Sequence, residues 1–326
     1  MPEGYEPLMV RIGYTLSSEE HGALDLVRNA QKAERAGFDF VSVSDHFHPW
    51  VDKQGHSPFV WAVLGGIAAT TERIEVATGV TAPILRIHPA VIAQASATVA
   101  TMLPGRFFFG VGTGEALNEH ITGEHWPHVD VRLEMLEEAV HVIREMWEGG
   151  LYSHRGTHYT VENARIYEVP ETKPPIIVSG AGPKATELAG RIGDGYWGMG
   201  PDAELVETFH KAGGDGPVFG QITVCWAEDE KQARRTAFEY WPNTGLTGQL
   251  AQELALPSYF EAACEALTEE KATESTPCGP DPEPYVESFR KYVDAGFDHL
   301  YFHQIGPDQD GFLRFFEREL MPRLRG

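Results

Sequence analysis

An aspartate and a histidine at the end of an apolar run are the raw material of an acid–base site. Here they are Asp45 and His46, following the alternating stretch Asp39-Phe40-Val41-Ser42-Val43 and preceding a turn at Pro49 and Trp50. An imidazole suits a general base near neutral pH. A second stretch, Gly112-Thr113-Gly114-Glu115, sets a carboxyl group directly after residues that let backbone approach a flat ligand. A carboxyl group in a water-poor cleft has its pKa raised and can donate a proton. A third, Ser179-Gly180-Ala181-Gly182-Pro183-Lys184, is a glycine-rich turn feeding a helix that starts at proline. It offers backbone N–H groups, a positive dipole end and the Lys184 charge to an anion. Each stretch also has an ordinary reading: a solvated strand end, a loop acid, a plain turn. The spacing of the third is not a Rossmann fingerprint.

These stretches do chemistry together only if the fold brings them to one place. The hydrophobic pattern reads as eight strand–helix units. The strands are expected near residues 8–14, 39–43, 74–80, 106–112, 176–180, 195–199, 219–226 and 298–302. A first helix is expected from Ser18 to Ala36, opened by Ser-Ser-Glu-Glu as a capping sequence and closed by Gly37. Eight such units predict a (β/α)8 TIM barrel, with a doubly wound sheet as the rival. The chain is read as a single barrel domain over 1–326, with an insertion at about 114–170 and a helical excursion at about 228–275. In a barrel all three stretches meet at the carboxyl ends of the strands, where chemistry is done.

Composition narrows the partners. The net charge of −22, from 26 Lys+Arg against 48 Asp+Glu, argues against nucleic acid and anionic membranes. No apolar run has membrane-spanning length, and Met1-Pro2-Glu3-Gly4-Tyr5-Glu6 lacks the pattern of a signal peptide, so a cytoplasmic protein is expected. Cys225, Cys264 and Cys278 have no metal-ligand spacing, so neither a disulfide framework nor a metal site is expected. His48, His303 and the remaining histidines read as surface or hydrogen-bonded core residues.

Four stretches together carry a resemblance: Val43 to Phe47, Pro89 to Ala95, Gly110 to Glu119 and Ala189 to Gly195. They resemble the luciferase-like TIM-barrel superfamily, and within it the branch that uses the deazaflavin coenzyme F420, typified by F420-dependent glucose-6-phosphate dehydrogenase. The resemblance implies that His46 is the catalytic base, Glu115 the catalytic acid and Trp50 the aromatic beside the reacting centre. It implies that Asp45, Thr113, Gly114, Asn118, Ala181, Gly182, Lys184 and Ala185 hold the coenzyme. In so acidic a chain, Lys184 and Arg86 are the cations expected to help with its anionic groups. Gly79-Val80 matches a bulge, often a cis peptide, on which the flat ring rests. Ala82 stands where the family has a coenzyme-contacting threonine.

The family's sugar-phosphate site departs here. Its threonine falls at Met199 and its first lysine at Asp202, and its other two cations fall near Ala251 and Glu274. Each lost cation removes a charge-assisted hydrogen bond of roughly 1.5–3 kcal/mol. The expected activity is therefore hydride transfer between an uncharged alcohol or carbonyl compound, such as a secondary alcohol or unphosphorylated sugar, and C5 of the deazaflavin. An FMN-dependent monooxygenase of the same superfamily, a non-catalytic F420-binding protein and a paired-carboxylate glycosidase are the alternatives. Members of the family are commonly dimers, so a homodimer is expected.

Overall fold

The computed structural model describes residues 10–246 and 248–325. Eight parallel strands close into a barrel: β1 (Arg11–Leu16), β2 (Phe40–Val43), β3 (Glu75–Thr78), β4 (Phe107–Val111), β7 (Ile176–Gly180), β8 (Gly195–Gly198), β9 (Val218–Val224) and β10 (His299–Gln304). They follow one another around the ring in chain order, and β10 closes it against β1. The other two strands, β5 (Tyr152–Arg155) and β6 (Thr160–Ala164), form an antiparallel hairpin within the expected insertion.

Strand alternation sorts the side chains. On β1, Ile12, Tyr14 and Leu16 join the large core shared with the surrounding helices. Gly13 and Thr15 therefore face the barrel axis, where a Cβ at Gly13 would lie 2.4 Å from the Phe40 ring. Inside the barrel, Phe40, Trp197, Phe219 and Tyr301 pack as an aromatic plug. Trp197 stacks on Phe219 with centroids 4.7 Å apart, and its indole N–H donates to the Tyr301 hydroxyl at 2.8 Å. The interior is thus a filled core with a mouth at one end, where the strand-to-helix loops gather.

Two boundaries differ from expectation. The first strand begins at Arg11, and Leu8 and Met9 lie outside the described residues, as does the segment from Met1 to Glu6. The first helix begins at Ala23, not Ser18. Ser18 to Glu20 instead form a turn, with Glu19 and Glu20 buried. The reason is electrostatic: both carboxylates find buried donors at the barrel mouth, so they face inward rather than capping a solvated helix end. The excursion after β9 is helical, in short pieces from Glu230–Tyr240 to Glu269–Ala272, and it folds over the mouth. Among the described residues, no helix is long and apolar enough to cross a membrane.

Candidate active site

Just past β2, the chain turns so that Asp45 and His46 part company. Asp45 is buried and accepts from the Thr81 hydroxyl (2.9 Å) and from Arg86 (2.8 Å). His46 faces the Glu19 carboxylate, with Nδ1 3.2 Å from Oε1. That contact is close enough for charge attraction, although it is not aligned as a hydrogen bond. Glu19 is itself held by the Ser44 hydroxyl at 2.9 Å. The Trp50 ring meets His46 edge-on at 5.1 Å, and Phe260 from the excursion meets Trp50 in the same way at 5.1 Å.

After β4, Gly114 adopts φ 67°, and a Cβ there would lie 2.7 Å from that of Ala82. Glu115 then caps the short helix Ala116–Glu119 and lies half-buried at the mouth. Asn118 is buried, and its side-chain oxygen accepts from the backbone N–H groups of Phe47 (2.9 Å) and His48 (3.1 Å). It fastens the β4 loop to the β2 loop, so the His46 and Glu115 segments are held in one register. Glu119 is buried too and accepts from the Arg86 backbone N–H at 2.8 Å. Burial pushes its carboxyl up to about 7, against the pull of the Arg86 guanidinium. Arg86 is itself enclosed between Asp45 and Glu119, so its charge is spent within the protein rather than offered to an outside anion.

The peptide bond between Gly79 and Val80 is cis. A Cβ at Gly79 would stand 2.1 Å from the Ser42 hydroxyl oxygen and 3.0 Å from the Trp197 ring, so only glycine fits. On the strand between those that lead to His46 and Glu115, the wall is thus a glycine followed by Val80, and both line the cavity.

His46, Trp50, Glu115, Asp45, Gly79, Val80, Ala82, Gly114 and Met199 all line one cavity of about 950 Å³. Thr113, Asn118, Ala181, Gly182, Lys184, Ala185 and Asp202 are not part of its lining. Lys184 is exposed and pairs with Asp130 at 2.7 Å. Asp202 caps the helix Ala203–Lys211, accepting from the N–H groups of Glu204 and Leu205. Ala251 and Glu274, near which the family's remaining cations fall, do reach the cavity.

Several lining residues escape a reading of the sequence. Glu19 looks like part of a capping sequence, and Glu119 like an ordinary helical acid. Arg234 and Lys291 bring two cations that no motif marks, and Glu230 holds the first of them at 2.9 Å. His303, read as an ordinary histidine, is buried in the wall of this same cavity. Its neutral form is strongly favoured, because burial drives its pKa down to about 4.

Comparisons with known proteins give the chain its family. A model of the luciferase-like monooxygenase family matches residues 8–299. The F420-dependent glucose-6-phosphate dehydrogenase of Microbacterium testaceum (strain StLB037) is 40% identical, covering 97% of this chain and 98% of its own. The enzyme of the same name from Rhodococcus erythropolis (strain PR4 / NBRC 100887) is 38% identical over the same shares. Among solved structures, an F420-dependent secondary alcohol dehydrogenase in complex with an F420-acetone adduct superposes with a TM-score of 0.89 at 30% identity, covering 98% of this chain and 100% of that one. The chain therefore belongs to the luciferase-like monooxygenase family, in the branch that contains the F420-dependent glucose-6-phosphate dehydrogenases.

Proposed function

We propose that the protein is an F420-dependent oxidoreductase acting on a CH–OH group, and that its substrate is an uncharged alcohol or carbonyl compound. The observation that carries this reading is the convergence of His46, Trp50 and Glu115 on one cavity that Gly79 and Val80 also line. Relatives at 36–40% identity carry the F420-dependent name along nearly their whole length.

The residues present fit a deazaflavin. A flat ring needs a wall without side chains, and Gly79 leaves no room for a Cβ. Gly79, Val80, Ala82 and Gly114 would hold the ring. Asp45, Thr113 and Asn118 would support its surroundings. The anionic tail would meet the backbone N–H groups near Ala181, Gly182 and Ala185, with Lys184 nearby. When bound, the coenzyme supplies the hydride acceptor, and that chemistry is its own.

The chain's residues move and hold protons. The Glu19 carboxylate beside Nδ1 of His46 favours the tautomer with a hydrogen there, which leaves Nε2 as the base for the substrate hydroxyl. Glu115, which lines the same cavity, holds the second proton of the reaction. Trp50, braced by Phe260, covers the imidazole and excludes water.

A phosphate ester suits this cavity poorly. Met199 and Asp202 offer no cation, and Glu274 presents a carboxylate where the family's phosphate site has a positive charge. Arg234 is already paired with Glu230, Glu274 is paired with Lys271 at 2.6 Å, and Lys291 shares the opening with Asp281 and Glu287. The test is a screen of alcohols with purified coenzyme F420, followed by loss of its visible absorbance. Uncharged alcohols should be oxidised more efficiently than glucose 6-phosphate. Preference for the phosphate ester would refute the substrate reading, and oxygen consumption with reduced FMN would move the protein to the monooxygenases.

We infer a homodimer as well, supported by the exposed Leu24, Phe59, Val91 and Met102 on or beside three neighbouring helices. Sedimentation gives its mass directly. A cytoplasmic setting accords with the three free, buried cysteines.

A further inference from the structure

The cavity has a second wall, made by β1, β9 and β10, that the reaction described above does not use. Strand alternation turns Thr15, Gln221, Thr223 and His303 toward the cavity, and all four line it. They are polar in a part of a barrel usually filled with branched apolar side chains. Two of them carry buried atoms with no hydrogen-bond partner, the Thr15 hydroxyl and Nε2 of His303, in residues only 8% and 2% exposed. A buried polar group left without a partner costs on the order of 1–3 kcal/mol, so two on one cavity wall call for a ligand.

The arrangement around His303 is specific. The Gln221 side-chain amide lies 3.4 Å from Nδ1, and Gln221 also donates to the Thr223 hydroxyl at 3.1 Å. An amide N–H facing Nδ1 leaves the ring hydrogen on Nε2. The nearest acidic group, Oε1 of Glu20, is 4.0 Å away, too far for a hydrogen bond. Glu20 is already engaged by the Trp241 indole N–H and by the Gly306 backbone N–H at 2.7 Å. Because the imidazole is kept neutral by burial, it can exchange hydrogen bonds with hydroxyls but adds no positive charge for a phosphate.

We propose that Thr15, Gln221, Thr223 and His303 form a hydroxyl-recognising subsite that takes the hydroxyl groups flanking the reacting carbinol of a neutral polyol or unphosphorylated sugar. The proposal rests on the oxidoreductase reading given above and narrows its substrate. A monofunctional alcohol would leave this wall's donors and acceptors unmatched, whereas a polyhydroxylated one satisfies them. Sites built to bind a hydroxyl discriminate strongly against analogues that lack it.

The test compares sorbitol and glucose with 2-propanol, using coenzyme F420 and the full chain, in the wild type and in T15V and H303N. Coenzyme affinity is measured separately by equilibrium binding. Thr15→Val is nearly isosteric and keeps the fold accessible even if His303→Asn proves unstable. The wild type should oxidise a polyhydroxylated probe with a kcat/KM at least about tenfold above that for 2-propanol. T15V should lose about tenfold or more for that probe, chiefly through KM, with 2-propanol turnover and coenzyme affinity unchanged. A preference for 2-propanol, equal losses for both probes in T15V, or bound coenzyme that no polyhydroxylated probe reduces would each overturn the subsite. Failure of the coenzyme itself to bind would instead overturn the oxidoreductase reading beneath it.

Discussion

The two walls of the cavity are built on opposite principles. The wall of β3 and β4 is mostly backbone: Gly79 and Gly114 line the cavity with Val80, on a cis bond, and Gly110 and Gly112 lie against Val80. A Cβ at Gly110 would fall 2.0 Å from the Thr78 carbonyl oxygen, and one at Gly112 would fall 2.9 Å from a Val80 methyl. The wall of β1, β9 and β10 is side chain: Thr15, Gln221, Thr223 and His303. A backbone wall is constrained at every position by what it already touches. A side-chain wall can change polarity one residue at a time while the barrel stays intact. The first kind suits an invariant planar coenzyme and the second a variable substrate.

The harshest way to break this comparison is to remove the imidazole that stands between the walls. His46→Ala should lower kcat by about 10²–10⁴ while leaving coenzyme affinity near its wild-type value, as judged by steady-state kinetics and equilibrium binding. An unchanged kcat would remove His46 from the reaction.

Next in size is a stability effect beneath the backbone wall. Replacing Arg86 by alanine strands the buried carboxylates of Asp45 and Glu119, and such losses are typically about 3–5 kcal/mol. Denaturant titration should show it, and a loss below about 1 kcal/mol would mean that the two acids find other partners.

Gly79→Ala sharpens the contrast more directly. The added methyl must displace Ser42 or Trp197, so coenzyme affinity should fall by about tenfold or more. Thr15→Val on the other wall should leave that affinity alone. Equal coenzyme losses in the two variants would erase the division of labour.

The smallest effect is in pH. Burial raises the Glu20 carboxyl to about 7 from an ordinary 4.5, and Glu119 likewise. The folded chain therefore holds protons that the unfolded chain has released. The corresponding stability is fully present below about pH 4.5 and is lost as pH rises through about 7. His303 acts in the opposite sense, opposing folding as pH falls from 6.5 towards about 4. Burial lowers His21 and His88 as well, and they act with His303, so the acids are read directly rather than through Tm. A carbon-detected titration of Glu20 should have its midpoint near 7, and a midpoint below 5 would remove this account.

The contrast between the walls also explains what could be read from the sequence. Asp45-His46 and Gly112 to Glu115 are local signals, because turn and loop chemistry is written in adjacent residues, whereas Gly79-Val80 is marked only by the family resemblance. The eight strands were visible for a similar reason, since period-two burial is local. Glu19 and Glu20 were hidden because Ser-Ser-Glu-Glu has the composition of a helix start, and only Ser44, His46, Trp241 and Gly306, far away in the chain, turn them inward. The same holds for His303, whose partners Gln221 and Trp241 come from other units of the barrel. Arg86 was misjudged as an available cation because its two acids, at positions 45 and 119, lie in different loops.

The packed rings of Phe40, Trp197, Phe219 and Tyr301, with Trp197 stacked on Phe219, stopper the cylinder from below. Trp197 and Tyr301 also reach the cavity, so they are its floor as well as the top of the stopper. Whatever occupies the vessel therefore rests on the barrel's own core.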